Sequence, residues 1–399
     1  MAAIITQSMR VKNAASFRDL VDGDNVYFYI GRSREWPSSD TAIETPQDTV
    51  SDARRVRQNM TAIKKLAASD VSHVVPRYNW ITGTIYAEYD DQNSSLSTDQ
   101  FYVVTDELNV YKCLKAGSDS VAPSLRTSTV KPTGTSTAVN AETSDGYIWK
   151  YMFTLSGTQA SKFLTSTYLP VQTLESDDGS LQWDIQTNAI DGAIHRIKVT
   201  DGGTGYSSGS PPAVTITGDG SGATATATVN SSGVVTGITV TNIGSGYAQA
   251  TVSIAAPSSG TTATARAVIS PTGGHGSDPV GELIGLFTMS NITLDGDEDT
   301  GGDADFLIDN EYRQLGLMIN PKQVGSSTLF SATTGRATHK IVYSSLVGGS
   351  FAVDDEFSNA SGVTGFIDSI DAANNTIYFH QDETTGYGSF STSDTITSG

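Results

Sequence analysis

The side chains best suited to chemistry lie in one acidic loop, DGDEDTGGDAD, at residues 295–305. Asp295, Asp297 and Asp299 alternate along it, as at the start of a calcium loop, because hard cations bind several oxygens on a tight turn. The sixth position is Thr300 where such a loop has glycine, and the twelfth is Phe306 where it has glutamate. A solvated acidic loop is therefore favoured over a metal site.

Catalytic signatures are sparse. The five histidines form no HxH or HxxxH pair that would hold a metal. The glycine-rich stretch GGTGYSSG follows a repeat and opens no helix, which argues against a phosphate loop. A glycosidase-like carboxylate pair requires proximity in space and not in sequence, so that possibility stays open. We predict no catalytic residue and no cofactor.

An aromatic run, DGYIWKYMFTL at residues 145–155, raises the question of a binding platform. Tyr147, Trp149, Tyr151 and Phe153 would share one face of a strand. Single-strand nucleic-acid binders combine such stacking with a positively charged groove. This chain has 24 cationic and 43 acidic side chains and a formal net charge of −19. That field repels phosphate backbones and anionic membranes, so we predict a buried core strand and neither nucleic acid nor membrane as partner.

The pattern of the 399 residues predicts a mainly β, multidomain protein: an α+β, β-sandwich-like core with a few helices near the N-terminus. We expect a first helix with Asn13 as N-cap and Phe17 facing inward. A second helix is expected from Thr49 through Leu66, with apolar residues at three- and four-residue steps. Five cations, Arg54, Arg55, Arg57, Lys64 and Lys65, lie mostly on its outer face and are read as solvated.

Residues 193–272 are rich in Gly, Thr and Ala and repeat themselves. Residues 197–200 (IKVT) return as 238–241 (ITVT), and residues 203–206 (GTGY) return as 244–247 (GSGY). The alternating alanines of 223–229 return in 263–269. Such self-similarity predicts two copies of a small β unit. We therefore divide the chain into a core (1–192), an inserted repeat module (193–272), a second part of the core (273–322) and a C-terminal β module (323–399).

Cysteine usage indicates the compartment. Cys113 is the only cysteine, so no intrachain disulfide can form, and its apolar strand-like surroundings predict a buried, inert thiol. The first residues lack a secretory signal, and no apolar run approaches the length that a bilayer requires. We expect a soluble protein kept in a reducing compartment.

Six separated motifs resemble one family, the baseplate wedge subunit encoded by gene eight of T-even-like contractile-tailed phages. They are AIITQSMR near the start, IGRSREW at 30–36, VVPRYNW at 74–80, YKCL at 111–114, DGYIWKYMF at 145–153 and YRQLGLMINP at 312–321. The resemblance covers about 1–190 and 280–322 and leaves out the repeat module and the C-terminal region.

The resemblance implies a structural, non-enzymatic protein present as two copies in each baseplate wedge. Its partners would be other wedge subunits, and it would help hold the baseplate before tail contraction, in a virion assembled in the host cytoplasm. Arg and Trp side chains at strand ends are enriched as interface anchors, but each Arg can equally stack on a Trp of its own subunit. The interface candidates are Arg32, Trp36, Arg77, Trp80 and Arg313.

Two other classes compete with this interpretation. A glycan-binding tail fibre or adhesin suits the Gly/Thr/Ser-rich repeats and the acidity. It predicts an exposed aromatic patch on the repeat module, whose only aromatic residues are Tyr206 and Tyr247. A β-rich depolymerase would instead require a cleft with converging carboxylates.

Overall fold

The computed structural model describes residues 5–33, 35–36, 39–43, 45–117, 126–293, 311–323, 325–331, 339–381 and 385–398. The chain divides into two compact units, Met1–Leu317 and Met318–Gly399. Antiparallel sheets dominate both units. The prediction of a mainly β, multidomain fold is confirmed.

Five α-helices lie in the described residues: α1 (Gln7–Gly23), α2 (Val50–Gln58), α3 (Gly157–Phe163), α4 (Leu181–Thr187) and α5 (Pro279–Glu282). The N-cap predicted at Asn13 is wrong. Thr6 caps α1 instead, and its hydroxyl accepts from the backbone N–H of Met9 at 3.2 Å. Thr6 has the extended backbone that an N-cap requires, whereas Asn13 lies exposed inside the helix.

The second helix is shorter than predicted. It begins after Thr49, whose side chain accepts from Asp52 N, and it ends at Gln58. Met60–Lys65 is a strand paired with Val26–Gly31, so the helix predicted to reach Leu66 is wrong. A helical spacing of apolar residues was overridden by a neighbouring strand that offered backbone partners.

The core strands are β1 (Val26–Gly31), β2 (Met60–Lys65), β3 (Val71–Pro76), β4 (Tyr102–Val104), β5 (Asn109–Ala116), β6 (Tyr147–Thr154) and β7 (Tyr168–Val171). After the repeat module come β14 (Phe287–Ser290) and β15 (Gln314–Ile319). They form three-stranded sheets in the orders β15-β1-β2, β14-β3-β7 and β4-β5-β6. Residues on both sides of the repeat module therefore complete the same sheets.

The repeat module consists of β8 (Ile194–Asp201), β9 (Val214–Gly218), β10 (Ser221–Val229), β11 (Val235–Ser245), β12 (Ala250–Ile254) and β13 (Thr264–Ile269). Its two copies exchange strands. β8 of the first copy pairs with β13 of the second, with Ile197 opposite Ala267. β10 pairs with β11 in the equivalent register, with Ala227 opposite Ile238. The copies are thus two halves of one unit and not two separate units.

Tyr206 and Tyr247, in the glycine turns of the two copies, also link one copy to the other. Ala263 N donates to the Tyr206 hydroxyl at 2.8 Å, and Ala223 N donates to the Tyr247 hydroxyl at 3.4 Å. The Tyr247 hydroxyl therefore accepts from β10 of the other copy, and the Tyr206 hydroxyl accepts from the residue just before β13. Gly205, with φ +85°, lies so close to Ser259 that an added Cβ would meet its carbonyl oxygen at 1.7 Å. Glycine is required at that close approach.

The C-terminal unit holds β16 (His339–Val342), β17 (Glu356–Asn359), β18 (Thr364–Asp371), β19 (Thr376–His380) and β20 (Ile396–Ser398) in the order β16-β19-β18-β17-β20. Its core is formed by Phe357, Ile367, Ile377 and Phe379. Asn375, with φ +48°, makes the turn between β18 and β19.

Candidate functional site

Arg32 and Trp36 lie at the end of β1. The Arg32 guanidinium carbon lies 4.3 Å from the centre of the Trp36 ring, and Nη2 donates to Glu35 O at 2.7 Å. Arg32 is buried and has φ +54°, whereas Trp36 is partly exposed. The structure therefore places the arginine in the intrasubunit stacking arrangement, with the indole as the more accessible member.

Arg313 joins the same site from the other end of the chain. Its backbone N–H donates to Arg32 O at 3.1 Å, next to the start of β15. Its guanidinium donates to Asp40 Oδ2, Ser33 O and Glu311 Oε2, each at 2.7 Å. The Arg313 guanidinium lowers the pKa of Asp40. Three of the predicted interface residues, Arg32, Trp36 and Arg313, are thus brought together.

Arg77 and Trp80 form a separate pair beyond β3. Arg77 donates from Nη1 to Thr165 O at 2.8 Å and from Nε to Asn79 Oδ1 at 2.9 Å. The Trp80 indole N–H donates to Ser128 Oγ at 3.1 Å, and its ring packs against the aromatic core. An interface role for these residues stays a prediction, because both side chains are held by contacts within the chain and are only partly exposed.

The aromatic strand β6 lies inside the protein. Tyr147, Trp149, Tyr151 and Phe153 are each at most 2% exposed. The Tyr147 and Trp149 rings are stacked with centroids 5.5 Å apart, and Tyr147 donates its hydroxyl to Arg126 O at 2.7 Å. Phe153 packs with Met152 in the neighbouring hydrophobic cluster, because the pairing of β6 with β5 shifts register between Tyr151 and Phe153, so the four rings do not all share one face. Lys150 and Met152 are buried as well, so both faces of β6 are covered. Such a strand cannot stack a ligand.

The acidic loop with Asp295, Asp297 and Asp299 lies outside the described residues. Within the part of the chain that the structure describes, no group of three or more His, Cys, Asp or Glu side chains is arranged to hold a metal ion. The helices of the described residues include none with the length and apolar character needed to cross a bilayer. Cys113 is buried, as predicted, and burial raises the pKa of its thiol well above the ordinary value.

One letter match to a catalytic pattern occurs in the repeat module. Residues 205–209 read GYSSG, the GxSxG spacing of a nucleophile elbow, which places a serine on a sharp turn between a strand and a helix. Here Ser207 is exposed in the connection between β8 and β9, and a strand follows instead of a helix. The local structure therefore gives Ser207 none of the elbow geometry.

A buried polar centre that the sequence reasoning missed lies at the heart of the first unit. Lys112 Nζ on β5 donates to Glu282 Oε2 at 2.8 Å and contacts His275 Nδ1 at 3.0 Å. The ammonium also lies 4.1 Å from the centre of the Tyr89 ring. Glu282 Oε1 accepts from the backbone N–H of Gly276 at 2.6 Å. The signal in the sequence was a lysine in the otherwise apolar run VYKCL.

The protonation states at this centre follow from burial and charge. Burial by itself raises the pKa of Glu282, but Lys112 and His275 outweigh it and hold that pKa at about 2. Burial, then Lys112, lowers the pKa of His275 to about 3. Burial, then Lys150 and Lys112, lowers the pKa of His195 to about 4. The centre is therefore a Lys–Glu ion pair beside two neutral imidazoles.

A second charged cluster fixes the repeat module on the core. Lys198 Nζ on β8 contacts Glu88 Oε1 at 2.7 Å and Asp90 Oδ2 at 3.0 Å. Arg266 on β13 binds Asp90 and contacts Asp91 Oδ1 at 3.2 Å. Burial raises the pKa of Asp90, yet Arg266 and Lys198 outweigh it and hold that pKa far below its ordinary value. These ion pairs orient the module.

One stretch of the first unit matches a known protein family. Residues 100–198 match the family model Phage-Gp8, described as Bacteriophage T4, Gp8. The resemblance to the gene eight wedge family is confirmed. The matched segment contains β5, β6 and most of β8, and therefore the aromatic core and Lys112. No curated protein matches the chain.

The Phage-Gp8 family is one of structural baseplate proteins. The match supports a structural role in the baseplate wedge, a location in the tail baseplate of the virion and association with other baseplate components. The repeat module from residue 199 onward and the C-terminal unit lie outside the match.

Proposed function

We propose that this chain is a structural subunit of a phage tail baseplate wedge that assembles as a dimer with neighbouring wedge proteins. It helps to hold the baseplate in its arrangement before tail contraction, and it catalyses nothing. The observation that carries the proposal is the family match over residues 100–198. The match supports the wedge role directly. The dimer and the role before contraction are further parts of the proposal and go beyond the match.

The side chains of the matched segment agree with a purely structural role. Lys112 is buried in an ion pair with Glu282, and the Cys113 thiol donates to Lys115 O at 3.3 Å. Rigid, fully packed subunits suit an assembly that must hold one arrangement, and obligate contacts of this kind bury more than about 2,000 Å². The net charge of −19 favours neighbours with basic surfaces.

The glycan-binding tail fibre or adhesin is the alternative. It requires exposed aromatic side chains on the repeat module. Tyr247 is buried and Tyr206 is half-buried, and both hydroxyls accept backbone hydrogen bonds. The repeat module therefore has no fully exposed aromatic side chain, which supports the wedge proposal.

The test is assembly. Multi-angle light scattering of the purified chain should give a dimer, and co-expression with wedge proteins of the same phage should yield stable complexes at low and moderate salt. A strict monomer that captures none of them, and instead binds or hydrolyses a host polysaccharide, contradicts the proposal and favours the fibre.

A further inference from the structure

Helix α2 is exposed along its whole length. None of its nine residues is buried, and Val50 at its start is 71% exposed. Arg54 and Arg57, four and seven residues after Val50, lie on the same exposed face, and Ile43, seven residues before the helix, is 65% exposed. A short helix in water gains most of its stability from packing against other parts of a protein. Helix α2 buries none of its residues in the single chain, so a contact with a partner would supply the missing packing.

The same segment carries the basic cluster of an acidic chain. Arg54, Arg55 and Arg57 lie on α2, and Lys64 and Lys65 follow on β2. Asp52 is the one acidic residue in positions 50–65, and it pairs with Arg55 at 2.5 Å. Arg54 and Arg57 are exposed and make no ion pair or side-chain hydrogen bond with the other residues that the structure describes. Two cations are therefore available on the face that also exposes Val50.

We infer that α2 docks onto the acidic surface of a second copy of this chain and forms part of the dimer contact. The inference rests on the dimer of the proposed function. Two chains of net charge −19 repel each other, and a local basic element that meets carboxylates of the partner offsets that repulsion where the surfaces touch. In a two-fold symmetric dimer both copies contribute their α2 to the contact. A change in α2 therefore affects the free energy of dimerisation twice.

Polyanions are poorer occupants for the same reason. Nucleic acid or an anionic lipid surface approaching α2 also meets the field of the remaining chain, which is more acidic than the whole once residues 50–65 are set aside. A protein surface that places carboxylates opposite Arg54 and Arg57 can also cover Val50, which shares their face. A second copy of this acidic chain offers such carboxylates.

Charge reversal tests the inference. Arg54→Glu/Arg57→Glu should raise the dimer Kd at least tenfold in sedimentation equilibrium at moderate salt. The matched control is Arg10→Glu/Lys12→Glu, which makes the same charge change at exposed positions of α1 and should alter Kd less than threefold. A wild-type monomer contradicts the proposed dimer and this inference together. A wild-type dimer that both double variants weaken equally, or not at all, contradicts this inference alone.

A fluorescent label gives a second readout that does not depend on affinity. Cys113 is buried, so Val50→Cys supplies the accessible thiol for an environment-sensitive dye. Its emission should shift to the blue as protein concentration rises through Kd. An emission that is constant while the mass doubles overturns the inference. So does binding of wild type to phosphatidylglycerol vesicles that Arg54→Glu/Arg57→Glu abolishes without changing the dimer Kd.

Discussion

At the residue scale, Lys112 shows how a charge is tolerated in this core. Its side chain is fully buried, and Glu282, His275 and the Tyr89 ring surround the ammonium. A paired buried ion contributes little net stability, but removal of one partner leaves an uncompensated charge in a medium that solvates it poorly. The ammonium of Lys150 on β6 instead donates to the backbone carbonyl of Thr137, and burial lowers the pKa of Lys150 to about 8.

Lys112→Met should therefore lower the free energy of unfolding by ~3–5 kcal/mol, because Glu282 is left buried without its cation. Lys112→Met/Glu282→Gln should recover at least half of that loss, since glutamine retains an acceptor for Gly276 N. Urea unfolding followed by tryptophan fluorescence measures both, because all four tryptophans lie in the first unit. A double variant as unstable as the single one contradicts this account.

Trp149→Ala should cost ~3–5 kcal/mol, the usual range for removal of a large buried aromatic side chain. Trp149→Phe is the matched control and should cost much less, because it keeps a ring against Tyr147. The Trp149 indole N–H is buried without a hydrogen-bond partner in the described structure, so the substitution by phenylalanine removes no hydrogen bond. Urea midpoints for Trp149→Ala and wild type that coincide would mean that β6 is exposed in solution.

The two neutral histidines predict acid sensitivity. In the fold the pKa values of His195 and His275 are about 4 and about 3, against an ordinary value of 6.5. Below pH 6.5 the unfolded chain takes up protons that the folded chain does not, so the free energy of unfolding falls as pH falls. The slope approaches about 1.4 kcal/mol per pH unit for each histidine.

His195→Asn/His275→Asn should flatten that slope between about pH 4.5 and 6, as measured by urea unfolding at a series of pH values. His339→Asn, at an exposed position of the C-terminal unit, is the control and should leave the slope of the first unit unchanged. An identical slope in the double variant would show that other groups cause the acid sensitivity.

At the element scale, the repeat module is a duplicated unit with unequal charges. Its core positions are equivalent in the two halves, but Lys198 and Arg266 correspond to Thr239 and Thr226 in the other pairing of strands. The cations therefore determine which half faces Asp90. The module's ends meet at the core, where Ser270 N donates to Ala193 O at 2.9 Å.

Deletion of residues 194–269, with Ala193 joined to Ser270 through two glycines, should leave a folded first unit with a lower urea midpoint. The midpoint falls because Val268 packs in the main core and Asp90 and Asp91 lose their cations. Adding Asp90→Asn/Asp91→Asn should recover part of the loss. Insoluble or unfolded protein from both deletion variants would mean that the module is integral to the core.

At the scale of the whole molecule, the two compact units have separate hydrophobic cores. A chain ending at Lys322 keeps β15 and should unfold in urea with the midpoint of the full chain, as measured by tryptophan fluorescence. The reason is that Phe357, Ile367, Ile377 and Phe379 pack with one another within the C-terminal unit. A midpoint lowered by more than about 1 M would show that the C-terminal module stabilises the first unit.

Local pattern by itself determined several features of this protein. Alternation and composition identified the buried strand β6, and ordered motifs identified the resemblance to the wedge family. These features depend on residues near one another in sequence, where side-chain period and turn chemistry act directly. The Arg32–Trp36 stack is of this kind, since both residues belong to one short motif.

Only the tertiary structure decided which distant residues meet. The ion pair of Lys112 with Glu282 joins positions 170 residues apart, and the exchange of strands between the two repeats leaves no trace in their similarity. The end of α2 at Gln58 was likewise decided by β1, which offered β2 backbone partners that a longer helix would have forgone. Burial, pKa shifts and strand pairing depend on the surroundings in space, and a one-dimensional pattern does not contain them.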